Sequence, residues 1–243
     1  YREVRRGTGM IESCLMPDLA AEITLQPVRR HKVDAAIFFS DIMVPLTLAG
    51  VDVDIVAGVG PVVAEPVRTA SDVRRLVAHE LGDTSMITAA IERVRAELAT
   101  TPSGDASWTP LIGFAGAPFT LAAYLVEGRP SRDHLAARSM MLSDPESWDA
   151  LMAWCADLSG AFLTVQVDAG ASAVQLFDSW AGSLRLRDYT ERVAPWSQRA
   201  LAAVEGRVPR LHFGTGTGHL LEQMAQGADA VGIDYRTPLD EAA

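Results

Sequence analysis

The segment Asp34-Ala35-Ala36-Ile37-Phe38-Phe39-Ser40-Asp41 is a short apolar run that reads as a buried strand and stops abruptly on a carboxylate. Burying even a mild polar group without a partner costs roughly 1–3 kcal/mol, and an ionised acid costs more. Asp41 is therefore the first candidate for the centre of a site. Its alternative is structural, as a cap on the next helix or a partner for an arginine. The pattern of polar residues closing an apolar run recurs at Gly116 with the following Ala117-Pro118-Phe119-Thr120, at Asp178 with Ser179, at Gly214 to Thr217 and at Asp234 to Arg236. Within it, Gly214-Thr215-Gly216-Thr217-Gly218 lacks both the spacing of a dinucleotide fingerprint and the lysine of a P-loop. It reads as a tight strand-to-helix turn, with an anion on its backbone amides as the other option.

Helices and strands must alternate to place these residues. The spacing predicts helices over residues 9 to 32, over 71 to 99 behind a Ser71-Asp72 cap with an interruption near Gly82, and from Pro118 to Val126. Others follow from the Ser143-Asp144-Pro145-Glu146 start to about Asp168, over 187 to 205, and from His219 to Gln226, and Leu239 to Ala243 reads as one more helix start. Continuous apolar runs predict strands at 35 to 41, 110 to 116, 173 to 179, 210 to 214 and 230 to 235. Val51 to Ile55 alternates apolar with acidic residues and reads as an exposed strand or hairpin arm, closing through Gly58, Gly60 and Pro61. Such alternation predicts an α/β fold with a parallel sheet, either a (β/α) barrel or a doubly wound sheet. Strand ends rich in polar residues, and no glycine fingerprint, favour the barrel, whose strand ends converge on one mouth.

Composition narrows the function classes. The chain has 243 residues, 49% hydrophobic and 21% charged, with no apolar run near the ~18 residues of a membrane span, and reads as one soluble domain over 1–243. A net charge of -10 argues against nucleic acid as a partner but leaves a small anionic ligand open. Cys14 and Cys155 are far apart in helix-like patterns, which indicates neither disulfide nor zinc cluster and fits a reducing cytoplasm. His212 and His219 read as locally satisfied. The sole lysine, Lys32, precedes a strand and so cannot serve a Schiff-base aldolase site at its C-terminal end.

Three stretches carry a resemblance. Phe38-Phe39-Ser40-Asp41-Ile42, Gly116-Ala117-Pro118-Phe119-Thr120-Leu121-Ala122-Ala123-Tyr124-Leu125-Val126-Glu127-Gly128 and Gln175-Leu176-Phe177-Asp178-Ser179-Trp180-Ala181-Gly182, in that order, resemble uroporphyrinogen decarboxylase. Tyr1-Arg2-Glu3-Val4-Arg5 is similar to the stretch after that family's arginine-rich N-terminal motif, and Ile23 to Arg30 to its next helix. Similarity covers nearly the whole chain, and the family pattern extends beyond both ends. The resemblance implies a (β/α)8 TIM barrel, incomplete in this chain with the first strand and the last two strands absent, and a homodimer.

It further implies decarboxylation of the four acetate side chains of uroporphyrinogen III to give coproporphyrinogen III, in haem and tetrapyrrole biosynthesis, with no metal or organic cofactor. The electron sink is then the substrate's own pyrrole, protonated at a ring carbon. Asp41 would accept from the pyrrole N–H groups and offset the cation. Tyr124 would hold a carboxylate or align Asp41, its alternative being an aromatic packed with its hydroxyl at the surface. Ser179 would donate to a substrate carboxylate, its alternative being a helix cap, and Arg5 would contact substrate, its alternative being a solvated surface charge. Two other readings stay open: a non-catalytic tetrapyrrole-binding barrel, and a related methyltransferase-type barrel that has lost its zinc ligands. A substrate with eight carboxylates needs an arginine cluster, and the resemblance puts most of it upstream of Tyr1. The chain as it stands should therefore turn over uroporphyrinogen weakly or not at all. Turnover equal to that of a protein carrying both missing ends would overturn this expectation.

Overall fold

Parallel pairing of the apolar runs organises the chain. The structure, a computed structural model, describes residues 1–99 and 109–242. Its strands are β1 (Ala36–Ile37), β2 (Val53–Val56), β3 (Gly60–Val63), β4 (Leu111–Gly116), β5 (Ala173–Asp178), β6 (Arg210–Gly214) and β7 (Ala230–Gly232). β1, β4, β5, β6 and β7 form one parallel sheet in that order, while β2 and β3 pair separately as an antiparallel hairpin. The strand order never reverses. A doubly wound sheet reverses at its ligand crevice, so the arrangement is that of a barrel wall, in which each strand lies beside its successor.

Successive side chains leave a strand on opposite faces. Val174 and Leu176 on one face of β5 are fully buried, and they join Ile87, Ile91, Phe162, Leu163 and Leu201 from the helices Ser85–Leu98, Pro145–Ala169 and Ala194–Ala202 in one apolar cluster. On the other face Gln175, Phe177, Leu211 and Phe213 are partly exposed. The core thus lies between sheet and helices, and the opposite face is the barrel interior.

The helix Pro145–Ala169 corrects one expectation, because it is long and apolar enough by length and composition to cross a membrane. Its residues Trp148, Leu151, Phe162 and Leu163 are fully buried within the protein. It packs on the sheet and on other helices together, which is why it is apolar on nearly every side. Asp144 caps it, accepting from the Ser147 N–H at 3.2 Å. Other predicted helices divide. Residues 9 to 32 form Met10–Cys14 and Pro17–His31, and 187 to 205 form Leu186–Arg192 and Ala194–Ala202, with Pro17 and Pro195 in the first turn of each second piece. Proline has no N–H to continue the preceding helix. Residues 71 to 99 divide into Ala70–Leu76 and Ser85–Leu98 around Gly82, whose N–H bonds the Leu48 carbonyl at 3.1 Å.

The predicted strand over 35 to 41 is also shorter. Phe38 N–H still donates to the Ile112 carbonyl at 3.0 Å, and then the chain leaves the sheet. This leaves the Phe114 N–H and C=O, which face the same side, without a strand partner. Gln166, fully buried on the long helix, takes the strand's place: its Oε1 accepts from Phe114 N–H at 2.9 Å and its Nε2 donates to the Phe114 carbonyl at 2.8 Å. Gly113 permits the approach, since a Cβ there would lie 2.8 Å from Gln166 Oε1. Gln166→Leu would bury two unpaired backbone groups at roughly 1–3 kcal/mol each. The melting temperature should fall by about 4 °C or more, and a variant that melts with the parent would refute this account.

Candidate functional site

β4 and β5 end at one level, with Gly116 in register with Phe177 and the Ala117 N–H donating to the Phe177 carbonyl at 2.8 Å. Beside these ends lies a cleft of about 580 Å³, walled by Phe38, Phe39, Phe114 and Phe177, with Ser40, Asp41 and Ser179 among its polar members and Tyr1 and Thr24 also in its lining. The rings of Phe114, Phe177 and Phe213 meet edge to face at 5.3 and 5.8 Å along the inner face of the sheet. A mostly apolar cleft with a few convergent polar groups is the usual form of a small-molecule site.

Asp41 turns the chain toward the next helix without capping it, since the cap position is Met43 and carries no side-chain bond. Its Oδ1 accepts from the Met43 N–H at 2.9 Å and its carbonyl from the Val44 N–H at 3.0 Å, which starts the helix Val44–Leu48. The carboxyl also belongs to the cleft. Burial pushes its pKa up and the Met43 N–H opposes that, with no cationic side chain among the influences from the described residues.

Tyr124 lies on the helix Pro118–Glu127, outside the cleft lining, with its ring packed into the protein and 8% of the residue exposed. Burial raises the pKa of its hydroxyl, the adjoining Trp180 side chain opposes this, and the Asp41 charge adds to the rise. Trp180 meets the Tyr124 ring edge-on at 5.7 Å. Ser179 lines the cleft and is not a cap, because the next helical turn, Ala181–Ser183, starts after Trp180 without a side-chain cap. The Thr215 hydroxyl holds Ser179 by donating to its carbonyl at 2.5 Å. Gly182 lets the two turns stack, since a Cβ there would lie 2.3 Å from the Thr215 carbonyl oxygen. The glycine-rich turn is therefore a buttress, and its Gly216 N–H already donates to Asp234 Oδ2 at 3.0 Å, with Arg236 paired to the same carboxylate.

Arg5 lies outside the cleft lining. Its guanidinium donates to the Tyr1 hydroxyl, sits 3.0 Å from Met10 Sδ and lies over the Tyr1 ring, whose edge meets Phe39 at 5.9 Å. Arg5 and Asp41 nonetheless share a neighbour. The Cys14 thiol is pushed up to about 12 by burial, with Asp41 raising it further and Arg5 pulling it down. That makes it inert.

Asp178 departs from its sequence expectation. It does not face the mouth with Ser179 but points into the helix layer, fully buried, where Oδ1 accepts from Thr120 Oγ1 at 3.0 Å and Oδ2 lies 3.6 Å from His212 Nε2. Asp178 is the last residue of β5 and Ser179 opens the turn beyond it, and of the two only Ser179 lines the cleft. His212 Nδ1 and His219 Nε2 meet the carbonyls of Met224 and Leu184 at 3.3 and 2.8 Å, but the buried His212 Nε2 has no hydrogen-bond partner among the described residues, so the expected local satisfaction holds for His219 and only in part for His212. His134 was not anticipated. It is 3% exposed with a positive φ of 49°, neither ring nitrogen has a hydrogen-bond partner among the described residues, and its ring lies 4.8 Å from Trp180. Burial pushes its pKa down, and nothing in the polar stretch Ser131-Arg132-Asp133-His134 signals this. Among the described residues, no three His, Cys, Asp or Glu side chains gather as metal ligands would.

The raised pKa of Asp41 has a stability consequence. The native state holds this proton more tightly than the unfolded chain, so the contribution is full below the ordinary aspartate value of about 3.9 and is lost as pH rises through the folded value. Asp41→Asn should accordingly melt higher than the parent at neutral pH and lose that advantage as the pH falls. A lower or unchanged melting temperature at neutral pH would count against the burial of this charge.

Comparison with known proteins identifies the family. The family model described as uroporphyrinogen decarboxylase (URO-D) matches residues 1–243. The uroporphyrinogen decarboxylases of Arthrobacter sp. (strain FB24), Frankia casuarinae and Streptomyces griseus are 61%, 57% and 57% identical over the whole of this chain. It spans 68%, 64% and 65% of their respective lengths. Among solved structures, a methyltransferase from Methanosarcina mazei shares the fold, with a TM-score of 0.67 over 98% of this chain and 78% of that one at 14% identity. A match along its full length and identities near 60% make this chain a member of the uroporphyrinogen decarboxylase family.

Proposed function

We propose that the whole protein decarboxylates the four acetate side chains of uroporphyrinogen III to give coproporphyrinogen III, with Asp41 at the centre of the reaction. The observation that carries this is the placing of Asp41, a carboxylate with one backbone N–H and no cationic partner among the described residues, at an aromatic-walled cleft. Loss of carbon dioxide releases an electron pair that needs a sink, and a pyrrole protonated at a ring carbon is one. The pair of the breaking C–C bond flows into the cationic ring, carbon dioxide leaves, and an exocyclic methylene remains. Protonation of that methylene and loss of the ring proton complete the methyl group, so each acetate consumes one proton net. An ionised Asp41 accepts from the pyrrole N–H groups and lowers the energy of the cation, an effect largest where water is scarce and the group is already in place.

Ser179, also in the cleft lining, donates to a substrate carboxylate. Tyr124, close enough to feel the Asp41 charge, aligns that carboxylate or holds one of the substrate's. Arg5, whose guanidinium donates to the hydroxyl of the cleft-lining Tyr1, contacts substrate in this reading. With this reading go a cytoplasmic homodimer with facing mouths, coproporphyrinogen III as the product, and chemistry without a resident metal or organic cofactor.

The test is anaerobic incubation of the full-length protein with uroporphyrinogen III, with products resolved by carboxylate number. Conversion to the tetracarboxylate is expected, and Asp41→Asn should slow it by roughly 10²–10³-fold. Unchanged octacarboxylate would favour a barrel that binds without catalysis, and activity undiminished in Asp41→Asn would reject the role given to that residue.

A further inference from the structure

We propose that Thr120 and Asp178 form a positioning clamp that sets where Tyr124 and Ser179 stand relative to Asp41, an inference that rests on the decarboxylase reading above. Both residues are fully buried. The Thr120 hydroxyl uses both of its capacities, donating to Asp178 Oδ1 at 3.0 Å and accepting from the Trp180 N–H at 3.3 Å. It therefore grips the residues on either side of Ser179. Thr120 and Tyr124 are four apart on the helix Pro118–Glu127 and share a face. The bond from Ala117 N–H to the Phe177 carbonyl, 2.8 Å, pins the start of this helix, and the Thr120 hydroxyl then fixes its rotation about that point. One side chain thus sets the relation between the helix that carries Tyr124 and the strand end that carries Ser179.

The surroundings of Asp178 argue for positioning over stability. Among the described residues its Oδ2 has no hydrogen bond, with His212 Nε2 at 3.6 Å, and the nearby Tyr189 hydroxyl is buried without a partner in hydrogen-bonding geometry. Apolar side chains of similar shape would cost less at such a place. What they could not do is hold the Thr120 hydroxyl in one orientation.

Thr120→Val in the full-length protein keeps the volume and removes donor and acceptor together. Misplacing a reacting group by ~1 Å costs on the order of 10²-fold in rate. We expect kcat per folded molecule to fall about tenfold or more with KM for uroporphyrinogen III little changed, and Thr120→Ser to restore most of it. A double-mutant cycle with Tyr124→Phe separates positioning from general destabilisation, because residues acting through one another give losses smaller than their sum. Should Thr120→Val fail to fold, Asp178→Asn, which keeps the shape, enters the same cycle with the same outcomes. Additive losses, an unchanged kcat, or a Tyr124→Phe variant without effect would overturn the clamp. Asp41→Asn run alongside keeps the two ideas apart: activity that survives it defeats the decarboxylase role of Asp41. Activity lost in Asp41→Asn but retained per folded molecule in Thr120→Val defeats the clamp alone.

Discussion

The parallel register of β4, β5 and β6 is the constraint on which the rest depends. Leu176 is paired with Ala115 on one side and His212 on the other, and the neighbouring pairs continue in step. Parallel strands can be joined only by long crossovers, here helices, so the helices collect on one face and the apolar core forms between them and the sheet. The other face is left to Phe114, Phe177 and Phe213 and to the cleft above them. Because the strands are in step, their ends fall at one level. Residues far apart in sequence, Asp41 and Ser179 among them, therefore meet at one rim.

Three acids near this rim meet the same problem, a carboxylate drawn out of water, in different ways. Asp234 is held by Arg236 and the Gly216 N–H. Asp178 is sealed among helices and bonded to Thr120. Asp41 has a single backbone N–H and faces the cleft, so burial is what dominates its proton affinity. A group whose charge the fold leaves only partly offset can still gain from a ligand that supplies N–H donors or positive charge.

The methyltransferase from Methanosarcina mazei shares this scaffold at 14% identity. Likeness at that level speaks to the sheet and its helices, not to the chemistry at the rim. Both cysteines here are free and buried, Cys14 with its thiol pushed up to about 12 and Cys155 with its proton affinity raised still further by burial.

The hairpin arm showed as an alternation of apolar and acidic residues, and continuous apolar runs closed by polar residues were enough to read the five parallel strands, because burial on both faces of a strand leaves a mark in local composition. The cleft position of Asp41 and Ser179 was legible for the same reason. Helix breaks at Pro17 and before Pro195 were available in the sequence and yet overridden by longer apolar periodicity. Gln166 filling the gap beside Phe114, 52 positions away, was not legible, and neither was the burial of Asp178 or the unpartnered His134. The sequence by itself determined which segments are strands and which residues end them, since backbone pairing and side-chain period act over a few residues. Only the tertiary structure decided which way each polar side chain turns and what it meets, because those partners come from distant segments that the register brings together.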